Sequence, residues 1–584
     1  MKLLKDLIIS RREFQDWTNN LSWSRDGSLF LTTCPDLTLI EPIYKKDIDN
    51  NTKNMFYVKE YALQYANKFE FENAKENLLL NAQPVSQPRQ CKPSPSAIGD
   101  GLIAVLTNNG NVEVFRAQNL VANLDEPLKE LSHRIYHSME WDPTGKYLFV
   151  GNEESEIIIY EVLEDDNQKV SVVHKNTVKV TSIKNWVTHI YCQGSYVVVG
   201  LGDNSVYLLS SPDESINFKE VVSPSRFKLN DVKLFENILL ITKTGHLQKI
   251  DIQLNSQTIL DMNPCEQFSI IPLVNQPDTV ILLSNTTNYQ LKLDTELKLM
   301  NEDTITPYLE SKLKRWNSVQ NDSTKNEHSL RIYGHSLSPD GNSLAILHNI
   351  ENVSLKYKII SENYYHITFI PTSETWKISK NATGLAWYQT YNIYEKSLPV
   401  SHNSAEDNFG LQTPSVNLPF REYIMNILSD ENMNSLQFLN FVQDEPSIRI
   451  FREAIFKYAC AKKSDISNAI DKACIQSLAS VLSLSSPLEA EPIAVKGEFI
   501  EEKFNFTDSS DEFIISSVEG HSWKRCAVTL LPLLTTNVKI CPVSNLRVID
   551  LRKDQLNDYG WFTETLLEIL NIHSVYSGTN MLTT

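Results

Sequence analysis

The amino-acid sequence predicts a mainly β chain: a β-propeller of about seven blades over residues 1–394, then an α+β domain over residues 420–584. Three observations carry this. Strand–turn–strand units recur at intervals of about 40–65 residues, the period of propeller blades. Beyond residue 420 the apolar period changes from two to 3.6. Between them, EKSLPVSHNSAEDNFGLQTPSVNLP (residues 395–419) loses periodicity and is rich in Ser, Asn and Pro, as a linker is.

The units follow in order. LSWSRDGSLFLTT (residues 21–33) reads as strand, Asp-Gly turn, strand. IAVLTNNGNVEVF (103–115) turns at Asn-Gly. Residues 137–162 and 186–211 each read as three strands with two turns. Residues 229–252 turn at Thr-Gly, 268–293 contain VILLSNTTNYQLKL, and 335–359 end the series. The clearest copies are WSRDGSLFL, WDPTGKYLFVG and LSPDGNSLAIL: an apolar strand, a polar turn with Gly, then a second apolar strand. They resemble degenerate WD40-type blades, lacking terminal Trp-Asp and regular Gly-His. A ring suits such units because each sheet buries both faces against its neighbours and closure leaves no open end. Two insertions interrupt it. Residues 47–95 read as half helical, and residues 306–329 as a helix followed by a polar loop; both are expected on propeller faces, where partners bind. The strand pattern is expected to run to GLAWYQTYNIY (384–394).

In the second domain, residues 420–428 and 434–442 read as short helices. Residues 447–463 place Ile448, Phe451, Ile455, Tyr458 and Ala459 on one face, with Ser447 after Pro446 as the expected N-cap. Another helix is expected over 465–484, strands over 499–506, 522–529 and 538–540, and an amphipathic helix over 559–570.

Composition narrows the function. With 41% hydrophobic and 22% charged residues, the chain has the balance of a globular protein rather than a disordered one. A net charge of −18 excludes a broad phosphate-gripping face and favours a protein partner, a basic one first. Eight cysteines without one Cys-x-x-Cys pair point to a reducing compartment. No apolar run reaches the ~20 residues of a membrane helix, and MKLLKDLIISRREF is not a secretory signal, so no membrane role is expected. No phosphate loop, dinucleotide fingerprint, His-Glu-x-x-His or Gly-x-Ser-x-Gly occurs, so no catalytic or cofactor-binding residue is predicted. His137, His189 and His335 read as structural blade histidines bonding to a turn or backbone carbonyl. His521, Cys526 and Cys541 are the one constellation with zinc-ligand chemistry. They lack the close pairs of a closed site, and Cys460 and Cys474 fall in expected helices, so a metal-free fold is expected. DSSDE (508–512) reads as a solvated loop with the alternatives of a docking patch or phosphorylation site, and the aromatics at Trp523, Tyr559, Trp561 and Phe562 as core.

Longer motifs carry a resemblance over nearly the whole chain. They are MKLLKDL, RREFQDW and NNLSWSRDGSL in the first 29 residues, CKPSP (91–95), NNGNV (108–112), KNWVTHI (184–190), SLSPDG (336–341), GLAWYQTY (384–391), WKRCAVTLLPLLTTNVKICPVS (523–544) and DQLNDYGWFT (554–563). This pattern resembles the smallest subunits of the B-block-binding (tau B) half of the RNA polymerase III transcription factor TFIIIC. The resemblance implies a propeller followed by an α/β domain and a non-catalytic scaffold of a nuclear assembly at tRNA genes. It implies other TFIIIC subunits as partners, a second propeller subunit above all, and the TATA-binding protein of TFIIIB; DNA is reached only indirectly. In metazoan relatives a Gly-His-x-Trp-x-Arg-Cys segment belongs to a zinc module with paired cysteines. Gly520, His521, Trp523, Arg525 and Cys526 match it, but the terminal pair is replaced by HSVYSG (573–578), which makes zinc an unexpected cofactor. Two other classes stay open. A histone acetyltransferase would need an Arg/Gln-x-x-Gly-x-Gly/Ala nest, absent from 420–584. A coat or pore scaffold would continue into a helical solenoid rather than an α/β block.

Overall fold

A computed structural model describes residues 6–9, 19–42, 56–66, 86–95, 101–116, 118–124, 135–164, 170–210, 218–273, 278–293, 298–300, 305–319, 328–352, 364–372, 382–394, 413–443, 445–488, 492–507, 510–554 and 556–583. These residues build seven four-stranded antiparallel sheets, one for each repeat. Blade 1 spans residues 21–61, blade 2 88–123, blade 3 136–179, blade 4 187–222, blade 5 229–261, blade 6 269–300 and blade 7 328–371. The outer strand of blade 7 is Asp6–Ile9, which pairs antiparallel with Tyr365–Pro371. The extreme N-terminus therefore closes the ring, a role its short apolar run did not announce.

The repeats fold alike for local reasons. In blades 3 and 7 the N–H of Asp142 donates to Tyr147 O (2.9 Å) and that of Ser338 to Ser343 O (2.8 Å). Gly145 and Gly341 supply the positive φ that these turns require. The Asp142 carboxylate and the Ser338 hydroxyl then accept the N–H groups of Tyr147 and Ser343. Second strands such as Leu102–Thr107 are buried along their whole length, because both sheet faces are covered. The apolar clusters each lie between neighbours. One joins blades 1 and 2, the next 2 and 3, and so on to a cluster where blades 7 and 1 meet through Ile9, Leu347, Leu29 and Phe56. The core is thus a closed series of interfaces, with no centre of its own.

Helix α1 (Thr306–Val319) follows the insertion reading, and its Tyr308 and Leu309 join the cluster of blades 6 and 7. Residues 320–327 lie outside the described residues. In the other insertion, Phe56–Tyr61 is the outer strand of blade 1 and Pro88–Pro93 the inner strand of blade 2. Its half-helical expectation for residues 67–85 lies outside the described residues, as do residues 395–412 of the expected linker.

Contacts divide the chain into two units, the second of which takes in residues 378–391 and the chain from 400 on. The segment expected as the last strand is instead helix α2 (Gly384–Tyr394). An apolar run of this length fits strand and helix equally by periodicity. Here the Thr383 hydroxyl caps it by accepting the Ala386 N–H (3.2 Å), and Trp387 and Tyr388 pack against aromatic rings of a later helix. Then come α3 (Phe420–Leu428), α4 (Glu431–Gln443), α5 (Pro446–Ala461), α6 (Ala469–Val481) and α7 (Trp561–Leu570). Phe420 stacks on Phe562 at 4.6 Å and meets Tyr458 at 4.8 Å, so α3, α5 and α7 share one aromatic core.

Ser447 is not the N-cap of α5. Glu445, at φ 67°, holds that place and Pro446 takes the first helical position. Ser447 is buried one residue further in. Its N–H donates to Asn440 Oδ1 (2.9 Å) and its hydroxyl to Val575 O (3.0 Å). The strands are short: Ile493–Lys496 with Glu501–Phe504, Ile514–Ser516 with Ser522–Lys524, and Val538–Ile540 between Arg547–Ile549 and Leu582–Thr583. Among the described residues no helix is long and apolar enough to cross a membrane.

Candidate functional site

In the propeller, the inner strands of blades 1, 2, 3, 4 and 7 bring side chains to an open cavity of about 260 Å3. Trp23, Lys92, Glu140, Trp141, Cys192 and Ser336 line it. Of its charged residues, Lys92 and Glu140 form an ion pair, while the Asp142 carboxylate accepts the Tyr147 N–H (2.7 Å). Trp141 is fixed by its indole N–H donating to Lys92 O (2.9 Å), and Trp23 by its indole N–H donating to Gly27 O (3.0 Å). The cavity therefore presents oriented aromatic edges beside a neutralised charge pair. Burial pushes the Cys192 thiol well above its ordinary value, which keeps it from acting as a thiolate. These groups can recognise a side chain; they make no nucleophile–base pair.

The blade histidines sit as follows. His189 Nε2 lies 3.2 Å from Asn230 O, the carbonyl contact expected of it. His137 instead stacks on Trp186 at 5.1 Å, and its Nε2 is buried without a hydrogen-bond partner. His335 is held through its backbone N–H on Asn19 Oδ1 (2.9 Å), and loss of surrounding water pushes its imidazole down to about 4. It is neutral at physiological pH.

In the second unit, Gly520, His521 and Trp523 belong to the hairpin around Ser522–Lys524. Its anchor is Glu502, which the sequence reading missed. This carboxylate is buried and receives His521 Nδ1 and the Trp523 indole N–H, each at 2.7 Å. Burial works against its charge, but hydrogen bonds from Ser517, Trp523 and His521 prevail and hold it below the ordinary carboxylate range. Only its alternation within EEKF, with Glu502 and Phe504 buried, distinguishes it from its neighbours.

DSSDE is more than a solvated loop. Glu512 pairs at 2.7 Å with Arg452 of α5, whose guanidinium is nearly buried and also donates to Ala527 O (2.8 Å). Asp508 and Ser509 lie outside the described residues. Of the aromatics, Phe562 is core, whereas Trp561 reaches the surface.

Cys526 and Cys541 are both fully buried. Cys526 opens a turn in which its N–H donates to Leu531 O (2.8 Å), and Cys541 lies 3.5 Å from the Ser577 hydroxyl. The structure does not bring His521 together with these two as a ligand set. Among the described residues no group of three or more His, Cys, Asp or Glu could hold a metal ion.

The seven-bladed ring and this C-terminal unit define a β-propeller protein with an appended α+β module. Residues 487–581 match the family model described as "Putative zinc-finger of transcription factor IIIC complex". The whole chain is 43% identical over 593 residues to the transcription factor tau 60 kDa subunit of Saccharomyces cerevisiae, with all of both chains covered. The chain belongs to the family of that subunit, and membership gives it a role in TFIIIC and RNA polymerase III transcription. A chain of the crystal structure of the mitotic checkpoint complex also aligns, over 64% of this chain and 96% of its own, at 12% identity and a TM-score of 0.39. That likeness is too distant to inform function.

The family description implies zinc, and the residues present do not fit it. Cys526 and Cys541 belong to separate turns, and among the described residues neither is joined by His521 or any other His, Cys, Asp or Glu in a group of three that could hold the ion.

Proposed function

We propose that this chain is a non-catalytic assembly subunit of the B-block-binding half of TFIIIC, working in the nucleus. In this reading it pairs with a second propeller subunit and helps to link promoter-bound TFIIIC to the TATA-binding protein of TFIIIB at tRNA genes. The observation that carries it is the full-length collinear identity with the tau 60 kDa subunit, ring and C-terminal module together. A ring of blades offers broad recognition faces, and in the cavity at its inner strands the cation Lys92 is already paired with Glu140. The net charge of −18 favours a cationic protein surface over DNA.

Affinity purification of the full chain from its native cells, followed by pull-down with purified TATA-binding protein across a salt series, tests this. The other TFIIIC subunits should copurify in stoichiometric amounts, and retention of the TATA-binding protein should weaken as salt rises. Recovery with coat or pore proteins, or alone with an acetyl-transfer activity, overturns the assembly reading. Absence of TATA-binding protein retention at low salt overturns the TFIIIB link.

A further inference from the structure

Three stretches of the C-terminal unit fold into the same turn. In each, the first residue's N–H donates to the carbonyl of the sixth, and the fifth residue's N–H donates back to the carbonyl of the first. For residues 526–531 these bonds are Cys526 to Leu531 (2.8 Å) and Leu530 to Cys526 (2.9 Å). For 541–546 they are Cys541 to Leu546 (2.9 Å) and Asn545 to Cys541 (3.0 Å). For 574–579 they are Ser574 to Thr579 and Gly578 to Ser574, both 2.8 Å. The fifth residue has positive φ every time: Leu530 57°, Asn545 57° and Gly578 72°. Leu530 is an apolar side chain in a conformation that such residues rarely adopt, so the turn geometry is imposed by its surroundings.

A helical residue followed by a left-handed one turns successive N–H groups into a concavity that suits an anion, including the thiolates of metal centres. The second turn shows this directly: the Ser544 N–H points at Cys541 Sγ at 3.5 Å. The first and fourth residues of such a turn stand at the spacing of a Cys-x-x-Cys pair. Here those positions are Cys541 and Ser544 in one turn, and Ser574 and Ser577 in the other. The fold brings the two turns together, with Cys541 Sγ 3.5 Å from Ser577 Oγ. In a tetrahedral tetrathiolate site, zinc–sulfur bonds of ~2.3 Å put neighbouring sulfurs about 3.8 Å apart. The donors thus lie near one edge of such a tetrahedron, but one of them is a hydroxyl.

We infer that residues 541–545 and 574–578 are the two turns of a zinc site in which three of four thiols have become hydroxyls, and that hydrogen bonds now close the place of the metal. A serine hydroxyl keeps its proton near neutral pH, so it supplies neither the charge nor the softness that zinc takes from a thiolate. It can bond to its neighbours instead. Ser577 Oγ lies 2.6 Å from Thr579 Oγ1 and accepts the Thr579 N–H (3.4 Å), while Ser544 Oγ accepts the Leu546 N–H (3.3 Å). The helix α4 side chain Asn440 donates to Tyr576 O between Ser574 and Ser577, tying the second turn to the helical core (2.5 Å). The unit is therefore built to fold without zinc while keeping the backbone that zinc would organise. This inference does not depend on the assembly reading.

Cobalt titration of the full chain, followed by visible absorption, tests it. The wild-type chain should carry far less than one zinc per chain after purification, show no thiolate–cobalt absorption and keep its melting temperature in a chelator. The triple variant Ser544→Cys, Ser574→Cys, Ser577→Cys should bind one cobalt per chain with the intense absorption of a tetrahedral tetrathiolate. Adding Cys541→Ser to that variant should reduce this intensity. If the triple variant does not fold, Ser544→Cys with Ser577→Cys should give a weaker tetrahedral signal. Stoichiometric zinc in the wild-type chain that is lost on Cys541→Ser overturns the inference. So does a folded triple variant that binds no cobalt.

Discussion

Asp471 shows how much one side chain can hold. It is fully buried in α6, and its carboxylate accepts the N–H groups of Phe562 (3.2 Å) and Thr563 (2.9 Å) at the start of α7. Gly560, the N-cap of α7, has no side chain to do this, and any Cβ there would collide with Asp471. Asp471→Ala should destabilise the C-terminal unit by about 2 kcal/mol, because it orphans buried donors at a helix N-terminus. Urea titration of the full chain, read by tryptophan fluorescence, measures this.

Glu502 gives a pH signature. Its folded pKa lies below the ordinary value, so its stabilising contribution is fully present above the unfolded pKa and is lost as pH falls through the folded one. Glu502→Gln should lower stability near neutral pH and flatten the stability–pH curve on the acid side. An unchanged acid slope in that variant would assign the acid sensitivity to other carboxylates. Neither residue was legible in the sequence: a buried carboxylate is spelled like an exposed one, and only its donors tell them apart.

One element was missed and one misread, and both are tied into the fold by contacts with distant residues. Asp6–Ile9 is a strand because Tyr365–Pro371 offers it an edge. Ile9 enters the cluster between blades 7 and 1, and Ile9→Asp should weaken ring closure by roughly 3 kcal/mol or more through burial of a charge. Earlier protease cleavage in the propeller would report it. Helix α2 places Trp387 against Phe438 and Tyr388 on Phe441 (4.6 Å). Trp387→Ala should cost about 3–5 kcal/mol in the C-terminal unit and leave the propeller transition unmoved. By the same packing, we propose that a fragment beginning at residue 378 is more stable than one beginning at 420, which thermal unfolding of the two decides. The blades were read correctly because hairpin turn chemistry is local. The C-terminal helices were legible too: Ile448, Phe451, Ile455, Tyr458 and Ala459 are all buried, as their spacing requires.

For the molecule as a whole, the acidic charge sets the expected behaviour towards nucleic acid. The isolated chain should bind a tRNA-gene fragment weakly and without sequence preference, since a surplus of 18 negative charges repels the phosphate backbone over most of its surface. Fluorescence anisotropy at low and physiological salt checks this, and a tight, salt-sensitive, sequence-specific complex would contradict it. The ring also predicts cooperative loss. Its clusters lie between blades, so weakening one interface opens both sheets that share it.

The sequence by itself determined the architecture: repeating hairpins, seven of them, then a change of period. Those signals are short-range, so they survive in one chain read alone. Only the tertiary structure decided which strand closes the ring, where α2 packs, and which side chain faces Cys541. The sequence pointed to His521, Cys526 and Cys541 because they carry ligand atoms, whereas the structure faces Cys541 with Ser577. A ligand set is a property of side chains meeting in space. The sequence showed HSVYSG in the place of a cysteine pair, but that Ser577 from this segment faces Cys541 is visible only once the two turns meet.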